Sequence, residues 1–387
     1  MGFQARDGAG DAVSETALLE QVTAEILRDY AAGRPPAAGR AAGESGEAAL
    51  DASWAPMLWK TLEQAGLPLV GVPEAHGGAG GTWPEIAAVL RSAGRFPAPV
   101  PLAETAALAG WLLAEAGLPI PSGPLTVAPT RPADRLEIVA DGDGWRLRGT
   151  VERIPWASQA SAIVVLAQRG DERGDDWVVG SVPPASCRVE PGANLAGEPR
   201  DRVTFEDVHL ASDAAAPVPI DTDRLLVRGA LVRAIQIVGA LDRVLELTVS
   251  YVQARTQFGR SLGRFQAVQH ELARLAGETV AAAAAVDGAV AAAAHGDCSN
   301  EVAAAKVRAG EAASAGARIA HQLHGAIGFT HEHQLHQLTT RLWSWRDEFG
   351  AEREWAARLG RFAAAAGPSD YWDWFTRDAG REVRRQD

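Results

Sequence analysis

The second half of the chain limits the fold most. The stretch DRLLVRGALVRAIQIVGALDRVLELTVSYVQART carries apolar residues at helical spacing for about 34 residues. Two more long helical runs follow, FQAVQHELARLAGETVAAAAAVDGAVAAAAHG and NEVAAAKVRAGEAASAGARIAHQLHG. The breaker GDCSN between them predicts an antiparallel hairpin. Their many alanines let helices approach closely. Residues 218–387 therefore read as a C-terminal antiparallel four-helix bundle.

The rest of the chain falls into two further regimes. Residues 1–118 read as an N-terminal helical domain. Ser14-Glu15-Thr16 offers a cap to ALLEQVTAEILRDYAAG, and Leu19, Val22, Ile26 and Leu27 recur at helical spacing. GRPPAAGRAAGESGEA at 33–48 reads as a mobile loop. Residues 119–217 change character: LEIVADGDGWRLRGTVERIPW, SAIVVLAQ, DWVVGSV and DRVTFEDVHL are short β-rich runs separated by turns. They predict a central β-barrel or sandwich-like domain, so the expected class is mixed α and β.

Charge and cysteine usage narrow the function. A net charge of −12 argues against nucleic acid as a partner, because phosphate binding needs a basic surface. The cations are almost all arginine; Lys60 and Lys306 are the only lysines. Cys187 and Cys298 form neither a disulfide framework nor a zinc spacing, which suits a reducing cytoplasm. The first 21 residues lack the basic start and apolar core of a signal peptide. The alanine-rich run at 279–294, interrupted by Asp287, reads as too short and too weakly apolar to span a membrane.

Several motifs lack the context that would give them a function. GRSLG at 259–263 matches a nucleophile elbow, but a long helix precedes it where a strand is required. GGAGG at 77–81 lacks dinucleotide spacing and lies between helices. His321, His324, His331, His333 and His336 with Glu332 contain no HExxH, so no metal site is expected. Arg255 ends a long helix beside a glycine and a phenylalanine. It could clamp a phosphate with its planar fork, or simply face the negative end of the helix dipole. QLHGAIGFTHEH places two glycines in a helix-terminating loop, where backbone can come close to a ligand.

Taken together, RTQFG (255–259), FQAVQ (265–269) and QLHGAIG (322–328) resemble the acyl-CoA dehydrogenase family pattern. The resemblance covers almost the whole chain. VPEAHGGAGGTWPEIAAVLRSAGRFPAPVPLAET is similar to the family's substrate-side loop and helix, and VTFEDVHL to a strand leaving its β domain. It implies a flavin enzyme: a carboxylate removes the proton α to a thioester, and FAD accepts hydride from the β carbon. Arg255, Phe258 and Gln266 would then contact FAD, with Gln322, Gly325 and Ala326 on the same dinucleotide. That FAD would belong to a neighbouring subunit, so the resemblance implies a homo- or hetero-oligomer, a dimer of dimers. An electron-transfer flavoprotein or similar acceptor would take the electrons.

This sequence departs from the family pattern in three places. The family's T-E-P-x-x-G-S-D run is replaced by PSGPLTVAPTRPADRLEIVADG. Its flavin-facing Trp-Ile-Thr step becomes Ile154-Pro155-Trp156, with a proline where a hydroxyl is expected. The base has two family locations. One falls on Gly229, beside Arg228. The other falls on Phe349, with Glu348 one residue earlier. Leu335, Leu338, Leu342 and Trp345 form a helical stripe that both Glu348 and Phe349 extend inward and Asp347 does not. Glu348 is thus the candidate base, the alternative being a solvated acid at a helix end. The missing motifs point to the partner-dependent kind, which resembles actinobacterial enzymes that shorten steroid side chains. A bulky sterol-derived acyl-CoA is the substrate this implies. A catalytically incomplete FAD- or acyl-CoA-binding partner subunit is the second reading.

Overall fold

The computed structural model describes residues 14–33, 54–131, 133–170, 176–330 and 332–376. The expected loop at 33–48 lies outside them after Gly33, as do the first 13 residues and His331.

Helix α1 (Glu15–Gly33) begins where Ser14 Oγ accepts the Ala17 amide at 3.2 Å. Helix α2 (Pro56–Gln64) opens on a proline, whose missing N–H costs nothing in a first turn. Helix α3 (Trp83–Arg95) carries a Thr82/Glu85 capping box, and Glu85 also accepts the Thr16 hydroxyl, tying α1 to α3. A π-helical segment, Glu104–Ala109, runs into α4 (Gly110–Glu115), with every residue of the segment buried.

The strands come next: β1 (Leu125–Ala128), β2 (Arg135–Asp141), β3 (Gly144–Pro155), β4 (Ala162–Arg169), β5 (Trp177–Val182), β6 (Arg188–Glu190), β7 (Arg200–Leu210) and β8 (Ala215–Val218). They form one sheet in the order β6-β7-β3-β2-β4-β5-β8, with β1 added parallel to β4. The DGDG run becomes the two-residue hairpin turn between β2 and β3, with Gly142 at φ +65°. Strand β4 shows why SAIVVLAQ reads as an unbroken apolar run. Ile163, Val165 and Ala167 face the core enclosed by the sheet, while Ala162, Val164 and Leu166 face the helices. A strand buried on both faces has no polar side to alternate with.

The bundle comprises α5 (Thr222–Ala254), α6 (Gln266–Ala293), α7 (Ser299–His324), α8 (Leu335–Trp345) and α9 (Glu352–Thr376). A short hairpin, β9 (Thr256–Gln257) with β10 (Arg260–Ser261), joins α5 to α6. Asp221 caps α5 by accepting the Arg224 amide at 2.8 Å. The N-terminal helices and the bundle share one core, because α3 crosses α5 at paired glycines. A Cβ on Gly94 would lie 2.1 Å from the Gln236 carbonyl, and one on Gly239 would lie 2.0 Å from the Arg91 carbonyl. Arg228 adds a second tie between the two blocks. Its guanidinium lies between Trp83 and Trp111, 4.4 and 4.5 Å from the ring centroids. Burial lowers its pKa to about 9.

Helix α6 differs from the sequence expectation. An 18-residue window within this 28-residue helix reaches a mean hydropathy of 1.3, so by length and composition alone the helix could cross a membrane. In this fold it packs against α7 and α5, with a third of that window buried.

Candidate functional site: an exposed bundle end and a closed charged seam

Six of the nine residues expected to bind cofactor converge at one end of the bundle. Helices α5 and α7 both finish there and α6 starts there. Tyr251 of α5 stacks on His324 of α7 with ring centroids 4.5 Å apart, which fixes the two ends side by side. Arg255 follows the last residue of α5, and its carbonyl accepts the Leu262 amide at 2.9 Å, closing the hairpin loop. Phe258 sits at the hairpin tip at φ +53° and is 88% exposed. Gln266 opens α6, and Gln322, Gly325 and Ala326 are exposed at the end of α7. Gly325 has φ +65°, and a Cβ there would meet nothing within 4 Å, so the backbone is open to a ligand. Arg255, Arg260 and Arg264 make this end cationic.

His321 and His324 lie just beneath this surface as packing groups. His321 stacks on Phe329 at 4.0 Å, and its Nε2 pairs with the Thr339 hydroxyl at 2.9 Å. His324 Nδ1 donates to the Ala320 carbonyl, and burial pushes its pKa down to about 4. Among the described residues no group of His, Cys, Asp and Glu is arranged to hold a metal ion.

The other three expected cofactor residues lie elsewhere. Ile154 is wholly buried in the core of the sheet. The Pro155 carbonyl accepts the Thr126 hydroxyl. Trp156 takes a left-handed conformation at φ +57°, is 2% exposed and packs near Trp54, with centroids 6.3 Å apart. It lines a cavity of about 20 Å³ together with Arg200, Arg233, Glu198 and Trp345.

That cavity marks a seam where the N-terminal helices, the sheet and the bundle meet, and a buried ionic series that includes Glu348 runs along it. Six charged side chains alternate along it. Arg233 Nη2 lies 2.5 Å from Glu104, and Arg233 Nε donates to Glu348 Oε2 at 2.7 Å. Arg200 Nε donates to Glu348 Oε1 at 2.8 Å, and its Nη2 reaches both Glu348 Oε2 and Glu198 at 3.1 Å. Arg341 Nε closes the series on Glu198 at 3.0 Å. None of these side chains is more than 9% exposed. Asn194, Gln236 and the Trp345 indole occupy further positions on the carboxylates and on Arg233. Burial alone would raise the Glu348 pKa, but the Arg200 and Arg233 guanidiniums override it and hold the carboxyl at about 2. A base that weak accepts a proton poorly near neutral pH.

The two positions where the resemblance places a base face each other. Phe349 is 2% exposed, and its ring atoms lie 2.2–2.6 Å from where a Cβ on Gly229 would stand. Lys306, also fully buried, donates to the Trp345 carbonyl at 2.7 Å and so caps α8 just before this turn. A separate cleft of about 290 Å³ lies between the sheet and the start of α5. It is lined by Asp134, Leu166, Trp177, Thr222 and Leu226. Among the described residues the Asp134 Oδ2 there has no hydrogen-bond partner, and burial raises that carboxyl's pKa.

Sequence reasoning missed Arg200 and Arg233, the partners of Glu348, and Glu104, which pairs with Arg233. The available signal was a charge stranded in an apolar run: Glu104 in PLAETAALAGWLL and Arg233 in ALVRAIQIVGA.

Comparison with known proteins follows the same lines. Residues 222–346 match the family model for the acyl-CoA dehydrogenase C-terminal domain. The acyl-CoA dehydrogenase IpdE2 of Mycobacterium tuberculosis is 34% identical over 83% of this chain and 89% of its own length. Its namesake from Mycolicibacterium smegmatis is 30% identical over 89% and 97%. Among solved structures, the ChsE4-ChsE5 complex from M. tuberculosis superposes with a TM-score of 0.80 at 24% identity, over 92% of this chain and 98% of that one. The Tcur3481-Tcur3483 steroid ACAD G363A variant gives 0.78 at 29% identity, over 91% and 98%. On this identity and coverage, the chain belongs to the acyl-CoA dehydrogenase family.

Proposed function

We propose that the chain is a subunit of an FAD-dependent, heteromeric acyl-CoA dehydrogenase that introduces an α,β double bond into an acyl-CoA, and that it presents its bundle end to an FAD seated mainly on another chain. The observation that carries this reading is the contrast between its two candidate regions. At the bundle end, Arg255, Phe258, Gln266, Gln322, Gly325 and Ala326 share one exposed, cationic face with open backbone at Gly325. That chemistry suits a pyrophosphate and an adenine: arginine supplies a planar fork for phosphate, and an exposed aromatic supplies a stacking surface. In the interior, Ile154, Pro155 and Trp156 are packed against this chain's own residues and offer no open face to a flavin ring. The residues present therefore fit the dinucleotide end of FAD and do not fit its ring.

The flavin, once bound in the assembly, supplies the hydride acceptor. This chain's contribution is to bind and orient the dinucleotide. The enclosure of Glu348 between two arginines supports placing the proton acceptor on the partner chain. The solved steroid ACAD, named for two different chains, supports an assembly of unlike subunits and a bulky sterol-derived acyl group. The electron acceptor expected for such an assembly is an electron-transfer flavoprotein or an equivalent.

The test is visible absorbance. The chain purified alone should be colourless, and it should turn yellow when co-expressed with a homologous subunit that carries a base. A yellow homo-oligomer that an acyl-CoA bleaches anaerobically would overturn the heteromeric reading.

A further inference from the structure

Glu348 has no capacity left for a substrate. An ionised carboxylate offers about four acceptor sites, two on each oxygen. Oε1 takes Arg200 Nε and Asn194 Nδ2; Oε2 takes Arg200 Nη2 and Arg233 Nε. All four are filled from within the chain. The donors come from different parts of the fold: Asn194 from the connection between β6 and β7, Arg200 from β7 of the sheet, Arg233 from α5. Arg233 then continues to Glu104 in the N-terminal block, and Arg200 continues through Glu198 to Arg341 of α8. The series holds three carboxylates and three guanidiniums and so carries no net charge. Two further donors of the series are also taken: Arg233 Nη1 donates to Gln236 at 2.6 Å, and Arg341 Nη1 to the Gln337 carbonyl at 2.9 Å. The space left at the seam is about 20 Å³, room for roughly one water. Phe349, next in the chain, packs against Gly229, and its ring centroid lies 5.6 Å from the Arg233 guanidinium carbon.

We propose that Glu348 is the keystone of a charge clasp that locks the N-terminal helices, the sheet and the bundle together, and that the cleft it closes takes no ligand in this chain. The proposal deepens the reading of the chain as an incomplete subunit and rests on it. Its tests need neither flavin nor turnover, so a failure of that reading leaves them standing.

The experiment uses the purified full chain. Glu348→Gln should lower Tm by roughly 5–15 °C, because it leaves two buried guanidiniums short of an anion. Glu348→Ala should leave a carboxylate-sized hole between Arg200 and Arg233. Sodium formate should then raise the Tm of that variant and not that of the unaltered chain, with sodium chloride at equal ionic strength as the control. Native-state hydrogen exchange on the unaltered chain covers the case in which the variants do not fold. Residues 198–201 and 345–349 should exchange slowly, and equally with and without octanoyl-CoA. An unchanged Tm in Glu348→Gln, an absence of formate rescue in a folded Glu348→Ala, or added protection at 345–349 with octanoyl-CoA would each overturn the clasp.

Discussion

The bundle end and the interdomain seam use the same residue type to opposite effect. At the bundle end, Arg255 and Arg260 stand exposed around an exposed phenylalanine, and no carboxylate is salt-bridged to either of them among the described residues. At the seam, Arg200, Arg233 and Arg341 are nearly enclosed, and each is paired with glutamate. An exposed arginine contributes little to the stability of its own chain and keeps its donors available for a ligand. A buried, paired arginine is costly to disturb, because removing its partner leaves a charge without compensation. The seam holds this chain's own elements together, whereas the bundle end keeps its arginines exposed.

That contrast breaks down first, if it does, at Arg233. Arg233→Met removes the cation between Glu104 and Glu348, and a loss of about 3–5 kcal/mol is expected from denaturant midpoints. A loss below about 1 kcal/mol would mean that the seam is not coupled to folding.

Acid should reveal the same coupling. Glu348 is held at about 2 against an ordinary 4.5, so its stabilisation is complete above about 4.5 and disappears as pH falls from there toward 2. His324 is pushed down to about 4 from 6.5, so the unfolded chain takes up its proton first, and the native state loses ground from about 6.5 downward. Stability should therefore decline in two limbs, the lower worth at most about 3 kcal/mol. Glu348→Gln should shrink the lower limb, leaving the part carried by Glu198, which Arg341 and Arg200 also hold low, and should leave the upper limb intact, as read by urea titration across that range.

A smaller effect is expected at Gly229. Gly229→Ala drives a methyl into the Phe349 ring and should cost about 1–3 kcal/mol. Adding Phe349→Leu should recover part of that loss, and the coupling in a double-mutant cycle is the measurement. Arg255→Ala should have the smallest effect on the chain alone, within about 0.5 kcal/mol. The same change in the co-expressed assembly should weaken flavin retention about tenfold, read from absorbance after dilution. If Arg255→Ala instead unfolds the chain, the distinction between the two regions fails.

Much of the architecture was legible in the sequence because it rests on periodicity. The long α5 pattern, the GDCSN breaker and the DGDG turn each map onto an observed element. The bundle-end motifs could also be grouped, since chain order and helix length bring Arg255 and Gly325 to one end. The partners of Glu348 could not be read this way. Arg200 and Arg233 precede it by 148 and 115 residues, and no local pattern encodes a pairing over that separation. Helical spacing turns Glu348 inward, but inward here means toward two guanidiniums, and the sequence does not distinguish an ion pair from an open cleft. Trp156 was ambiguous for the same reason: whether an indole stacks on a ligand or fills a core depends on what the rest of the fold places over it.

The scarcity of lysine has a practical consequence. Lys60 is exposed and Lys306 is fully buried, and they are the only side-chain amines in the molecule. An amine-reactive label should modify Lys60 at once. It should reach Lys306 only when α7 and α8 separate, so modification at Lys306 itself, located by peptide mass spectrometry, would time the opening of the bundle without any engineered probe.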